Sequence, residues 1–323
     1  MRRYISLAST FAVCVLLYGV GMSQFPAFAT TRVMGNLLTD NAFLGIVAIG
    51  MTFVILSGGI DLSVGSVIAF TSVFCAVVLR DTTLHPLVVF ALALVLGALF
   101  GAAMGAIIHY LEIPAFIVTL SGMFFARGMA FVLNTDSIPI SHPFYGEVAG
   151  FALRFPDKGR LTLLGMIFLL VLLAGIYLAH FTRFGRNVYA IGGNADAALL
   201  MGVPMGRMVV SIYALSSFLA ALAGVVFSLY TQAGYSLSTV GVELDAIAAV
   251  VIGGTLLRGG EGFVIGTFIG IVIQGLIQTY ITFDGSLNSW WTKIFIGLLL
   301  FAFIVLQKLL SRQGARRPQA VQT

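Results

Sequence analysis

Ten apolar runs separated by short polar connectors leave this chain one environment to fold in. They cover roughly residues 5–24, 37–57, 63–80, 86–110, 114–133, 161–181, 208–230, 244–257, 262–282 and 291–310. A helix needs about 20 apolar residues to cross the hydrocarbon core of a bilayer. Backbone inside lipid must satisfy its own hydrogen bonds, which selects helices over open sheet. Hydrophobic residues make up 59% of the chain and charged ones 9%, against about 25% charged in soluble domains. The expectation is an all-α membrane protein of about ten transmembrane helices, with residues 1–323 forming a single transmembrane domain. The eighth run is short, and the break between the second and third lies in apolar surroundings. Either reads as a broken or re-entrant segment.

Basic residues set the orientation. With the N-terminus inside, the inner segments hold Arg2, Arg3, Arg183, Arg186, Arg207, Arg258, Lys308, Arg312, Arg316 and Arg317, ten residues against five outside. Those five are Arg32, Arg80, Arg154, Lys158 and Arg160, with Arg127 and Lys293 left inside spans. This places both termini in the cytoplasm, with a cytoplasmic segment at 182–207, a long external loop at 134–160 and a cytoplasmic tail at 311–323. The net charge of +5 records that asymmetry and does not argue for nucleic acid. Ala27-Phe28-Ala29 looks like a signal-peptidase site after an apolar run; leaving the first span uncleaved gives the even count that the charges require. Cys14 and Cys75 both sit in apolar runs and read as small hydrophobes, not as a disulfide or metal pair.

The segment Thr182–Arg207 is a polar island carrying a miniature helix with its own punctuation. Asn194 is a good N-cap, Asp196 falls in the first turn where the dipole favours an anion, and Ala197 to Met201 are strong helix formers. Gly202 supplies the stop and Pro204 prevents continuation. Two turns of helix are unstable alone in water. Leu199, Leu200 and Met201 must therefore pack back on this protein or dock on a soluble partner.

The second run ends in Ser57-Gly58-Gly59-Ile60-Asp61-Leu62-Ser63-Val64-Gly65-Ser66. Adjacent glycines weaken helix, and Asp61 or Ser63 can cap a new start. Two readings stand equal: a broken helix with a carboxylate at a gate, or a tight turn with Asp61 as its N-cap. Leu56-x-Gly58-Gly59 recurs as Leu257-x-Gly259-Gly260, a hint of duplicated halves. Gly97, Gly101 and Gly105, and again Gly262, Gly266 and Gly270, have the four-residue spacing of close helix packing. Arg127 lies toward the outer end of its span, where bonding to backbone carbonyls is the default and a pathway role the alternative. The external loop has three prolines, Pro139, Pro143 and Pro156, and is long enough to cover an entrance or receive a partner.

The four histidines, His85, His109, His142 and His180, form no metal-spaced pair, and the chain has no phosphate-binding loop and no nucleophile–base constellation. A transporter without its own energy site needs a partner that supplies one. A self-sufficient carrier or channel would transport without an ATPase, and a membrane enzyme would need a constellation that the sequence lacks.

Three long stretches identify the chain as resembling a family. VILSGGIDLSVGSV (Val54–Val67), AIGGNADAALLMGV (Ala190–Val203) and ELDAIAAVVIGGTLLRGGEG (Glu243–Gly262) are similar to permease subunits of bacterial ribose/galactose-type ABC sugar importers. The stretches LTDNAFLGI (Leu38–Ile46), TQAGYSL (Thr231–Leu237), QGLIQTYITFDG (Gln274–Gly285) and SWWTKI (Ser289–Ile294) resemble a galactofuranose-importer permease more closely still. Arg258 departs from the small polar residue of many relatives. The resemblance implies the ABC importer permease fold in a bacterial inner membrane, paired with a second and different permease chain. It further implies cytoplasmic ATPase subunits, which carry ATP and magnesium while this chain binds no cofactor, and a periplasmic sugar-binding protein. Gly193, Asn194, Ala197, Ala198, Gly202 and Val203 match the family's ATPase-coupling loop; Gly58, Gly59, Asp61, Leu62, Ser63 and Gly65 match its signature after the second span. The sugar path is not fixed by the resemblance. Chemistry nominates Asn41, Thr119, Phe124, Gln274 and Gln278, because sugars are met by amides, hydroxyls and aromatic faces.

Overall fold

The structure, a computed structural model, describes residues 2–155, 158–288 and 290–315. Pro156 of the 134–160 loop and residues 316–323 of the tail, with Arg316 and Arg317, lie outside the described residues. Helices dominate: α1 (Arg2–Gln24), α2 (Thr31–Asp40), α3 (Ala42–Leu56), α4 (Val64–Asp81), α5 (Pro86–Tyr110), α6 (Ala115–Leu133), α7 (Pro143–Gly150), α8 (Leu163–Phe181), α9 (Arg183–Gly193), α10 (Ala195–Leu200), α11 (Met205–Thr231), α12 (Val242–Ile252), α13 (Val264–Asp284) and α14 (Trp290–Ala315).

Seven of these are long and apolar enough to cross a membrane, and α2 with α3, bent by 57° at Asn41, makes an eighth. All ten expected runs are helical, and the two outside this count are α12 and α14. The eighth run is not a span but the 11-residue α12, about 16 Å long at 1.5 Å per residue, roughly half of a hydrocarbon core. It stops at Gly253-Gly254 and the chain returns as α13. α14 runs over 26 residues, Trp290–Ala315, with Trp290–Val305 as its described apolar part.

The post of the fold is α11, packed on α3, α4 and α5. Glycine sets how closely helices approach. A Cβ on Gly97 would stand 2.6 Å from the Ala221 Cβ, on Gly101 2.2 Å from the Tyr213 carbonyl oxygen, and on Gly105 2.8 Å from the Val210 Cα. The four-residue spacing is therefore the α5 face of an antiparallel α5–α11 pair. On α13, Gly266 and Gly270 meet the carbonyls of Gly253 and Ala249 in the same way, locking α12 antiparallel to α13. Gly262, expected in that row, lies instead in the loop before α13.

At the end opposite α10, short ladders tie the loops together. β1 (Ile138–Pro139) pairs antiparallel with β4 (Ala233–Gly234), and β2 (Ala152–Arg154) with β3 (Arg160–Thr162). Beneath them the Tyr145 hydroxyl meets Ser228 of α11 at 3.1 Å. Arg127 donates to the carbonyls of Ser236 and Ser238 at 2.6 and 2.7 Å, holding the loop that feeds α12. Of its two sequence readings, the structural one is seen.

Candidate functional site

The polar island is a helical hairpin. α10 has the expected punctuation: the Asn194 side chain accepts from the Ala197 N–H at 2.9 Å, and Gly202 closes the turn at φ +82° while Val203 donates to the Ala198 carbonyl. The sequence reading missed α9. Its signal was present in Thr182, which accepts from the Gly185 N–H at 3.2 Å, and in the spacing of Phe184, Val188 and Ile191. Ala198 is fully buried against α9, whereas Leu199, Leu200 and Met201 are 59%, 87% and 72% exposed. The apolar tip does not pack back on this chain.

Beneath the hairpin three glycine turns meet. The Gly260 N–H donates to the Leu56 carbonyl at 2.9 Å. A Cβ on Gly192 would fall 1.8 Å from that same carbonyl oxygen, and one on Gly260 2.8 Å from the Gly193 Cα. Gly58 and Gly259 both hold positive φ, and a Cβ on Gly259 would lie 2.8 Å from the Gly58 nitrogen. The two copies of the Leu-x-Gly-Gly pattern are therefore spatial neighbours, with the α9–α10 junction pressed on both.

The signature turn runs from this knot into α4. Asp61 is fully buried and accepts from the Ser63 N–H at 3.0 Å, the Ser63 hydroxyl at 2.6 Å and the Ser216 hydroxyl at 2.7 Å. The N-cap position of α4 is Ser63, not Asp61, and its hydroxyl is turned to Asp61 in place of the helix N–H groups. Asp61 thus fastens the turn to α11. Gly65 sits against the loop before α12, where Thr239, itself at φ +58°, donates to the Gly65 carbonyl at 2.8 Å.

The five nominated sugar-path residues separate. Asn41, Gln274 and Gln278 line one polar cavity of about 230 Å³ with Asp245 and Lys293. Thr119 does not belong to it. Its buried hydroxyl donates to the Ala115 carbonyl at 2.9 Å and reaches that of Ile60 at 3.3 Å, steadying the signature turn. Phe124 is 66% exposed on α6, away from that cavity. Sequence reasoning missed Asp245 and Lys293, which form an ion pair across α12 and α14.

The family model described as branched-chain amino acid transport system / permease component matches residues 33–304. The chain is 61% identical to the inner membrane ABC transporter permease protein YjfF of Escherichia coli K12, over 95% of this chain and 93% of that one. It is 36% identical to the fructose import permease protein FruG of Bifidobacterium longum, over 97% and 93%. With the ribose import permease protein RbsC of Escherichia coli K12 it shares 35% identity over 94% and 96%. No solved structure matched. With these relatives the chain is a transport component and not an enzyme, one part of a complex that also has ATPase and binding-protein partners. The chain belongs to the family of ABC transporter permease components and is a multi-pass permease of the sugar-importing kind.

Proposed function

We propose that the protein carries a monosaccharide inward across a bacterial inner membrane as one of two different permease chains in an ATP-driven importer, and that its sugar is galactofuranose. Both termini and the α9–α10 hairpin face the cytoplasm, where separate subunits bind ATP and magnesium. A periplasmic sugar-binding protein delivers cargo to the opposite end, over loop 134–160. The observation that carries this reading is α10: a capped helix whose Leu199, Leu200 and Met201 are left bare while its base is wedged between the two glycine turns. Exposed apolar tips of this size mark a partner's docking place. Push or pull on α10 reaches α3 and α13 together through the knot. Gly193, Asn194, Ala197, Ala198, Gly202 and Val203 build this coupling element, and Gly58, Gly59, Asp61, Ser63 and Gly65 form the turn it acts on. The choice of galactofuranose rests on the stretches at Leu38–Ile46, Thr231–Leu237, Gln274–Gly285 and Ser289–Ile294.

The test is reconstitution in vesicles with the second permease, the ATPase and the binding protein. Labelled galactofuranose should accumulate only with ATP inside and binding protein outside, and ribose and fructose should compete poorly. Concentrative uptake by this chain alone would overturn the importer reading. Ribose or fructose outcompeting galactofuranose would overturn the choice of sugar.

A further inference from the structure

The cavity between α3, α12, α13 and α14 has a make-up that helix packing does not require. Its polar wall is Asn41, Gln274, Gln278, Thr282 and Thr292, closed on one side by the Asp245–Lys293 ion pair. Among the described residues three ion pairs occur, and this is the one that joins two helices. Charged groups in membrane segments are costly and mark function by default. The amides are held in place. Asn41 donates to the Leu37 carbonyl at 2.9 Å and Gln274 to the Asp245 carbonyl at 3.0 Å, which leaves amide capacity for a ligand. Gly275 lets α13 come this close, since a Cβ there would stand 2.7 Å from the Asn41 Nδ2.

We infer that this cavity is a binding site for one neutral polyhydroxylated ring, a station on the sugar route inside a single permease chain. The inference rests on the importer reading above. Three features fix the ligand class. The volume, about 230 Å³, lies below the ~300–1,000 Å³ of drug-sized sites, so it suits one small ring. The paired charges cancel, so an ionic ligand would meet a like charge at one partner, whereas hydroxyls can donate to Asp245 and accept from Lys293. Leu44, Ile281 and Ile296 supply apolar surface for the C–H face of the ring. The ion pair has a second consequence. It links the half-helix α12 to the start of α14, so a ligand that draws off one partner loosens that link.

The experiment uses the whole complex in vesicles, with Cys14 and Cys75 replaced and Thr282→Cys introduced; Thr292→Cys serves as a second position should the first not assemble. An impermeant maleimide is applied outside, with galactofuranose as probe. The expected result is labelling that slows when sugar-loaded binding protein is present and does not slow with empty binding protein. The companion measurement is selectivity. Gln274→Leu with Gln278→Leu should lower galactofuranose uptake about tenfold and change the galactofuranose-to-ribose uptake ratio, which loss of folded protein alone would leave unmoved. A thiol unreactive from outside, labelling indifferent to sugar, or an unchanged ratio would each overturn the site while the importer reading stands. A wild-type complex that takes up no sugar at all would instead overturn that reading.

Discussion

Gly260 donates its backbone N–H to the carbonyl of Leu56 at 2.9 Å, joining the turn before α13 to the end of α3. The Gly192 Cα lies on the same carbonyl, so a Cβ there would be 1.8 Å from the oxygen, deep inside van der Waals contact with backbone. Its neighbour Gly193 has nothing within 4 Å of such a Cβ. Gly192→Ala should therefore pry the hairpin off the knot and remove most uptake, whereas Gly193→Ala should transport within about twofold of wild type, the surface range of mutational effects being about ±0.5 kcal/mol. Uptake by equal amounts of assembled complex measures this. Equal behaviour of the two variants would show that the knot does not govern transport.

Asn194→Leu and Gly202→Pro attack α10 from its ends. The N-cap contributes about 0.5–2 kcal/mol, a large share for a six-residue helix. Proline's fixed negative φ cannot take the +82° at Gly202. Both variants should insert and assemble, yet lose sugar uptake and sugar-stimulated ATP hydrolysis. Wild-type values in both assays would reduce 194–202 to a surface turn.

How much of this was legible before the structure follows from range. The α10 caps, the glycine faces of α5 and α13 and the short eighth run are encoded within a few residues of themselves, and each was readable. Where the eighth run stops was not legible, because hydropathy measures composition and not helix ends: the run continues to Leu257, yet Gly253-Gly254 ends α12 at Ile252. Thr119 and Gln274 are equivalent on chemistry alone. Only the fold turns one onto Ile60 and the other into a cavity with Lys293, which is 48 residues from its partner Asp245. The paired Leu-x-Gly-Gly turns were visible as a repeat, but their contact was not.

Orientation is tested by chemistry at two positions. In a background lacking Cys14 and Cys75, Ser137→Cys beside β1 and Ala195→Cys at the start of α10 should react with an impermeant reagent from opposite sides of the membrane. The two lie at opposite ends of the fold. Labelling from one side only would break the proposed topology.

Arg127 holds the loop before α12 by donating from one guanidinium nitrogen to two carbonyls. Hydrogen bonds to charged donors contribute about 1.5–3 kcal/mol. Arg127→Met should lower the thermal stability of the purified complex by several degrees, and Arg127→Lys should recover part of it, since an ammonium can reach one of the two carbonyls. If a pathway role dominated instead, Arg127→Met would change the sugar KM with no change in melting temperature.

Asp61 fastens the signature turn to α11, which sets a fastener against the gate that its sequence allowed. As a fastener it needs acceptors, not charge: Ser63 gives it an N–H and an O–H, and Ser216 of α11 an O–H. Asparagine keeps one oxygen for the Ser63 pair, and its amide can donate to the Ser216 oxygen once that hydroxyl turns. Asp61→Asn should therefore retain assembly and at least about a third of wild-type uptake, a loss within the roughly 0.5–1.5 kcal/mol of one ordinary hydrogen bond. Asp61→Leu removes every acceptor and leaves two buried hydroxyls unpaired, at about 1–3 kcal/mol each; the complex should then be recovered in low yield and melt early. A carboxylate serving as a gate gives the opposite pattern, with Asp61→Asn fully assembled, normally stable and inert in transport. Melting temperature and uptake measured side by side on the two variants decide between a bolt and a gate.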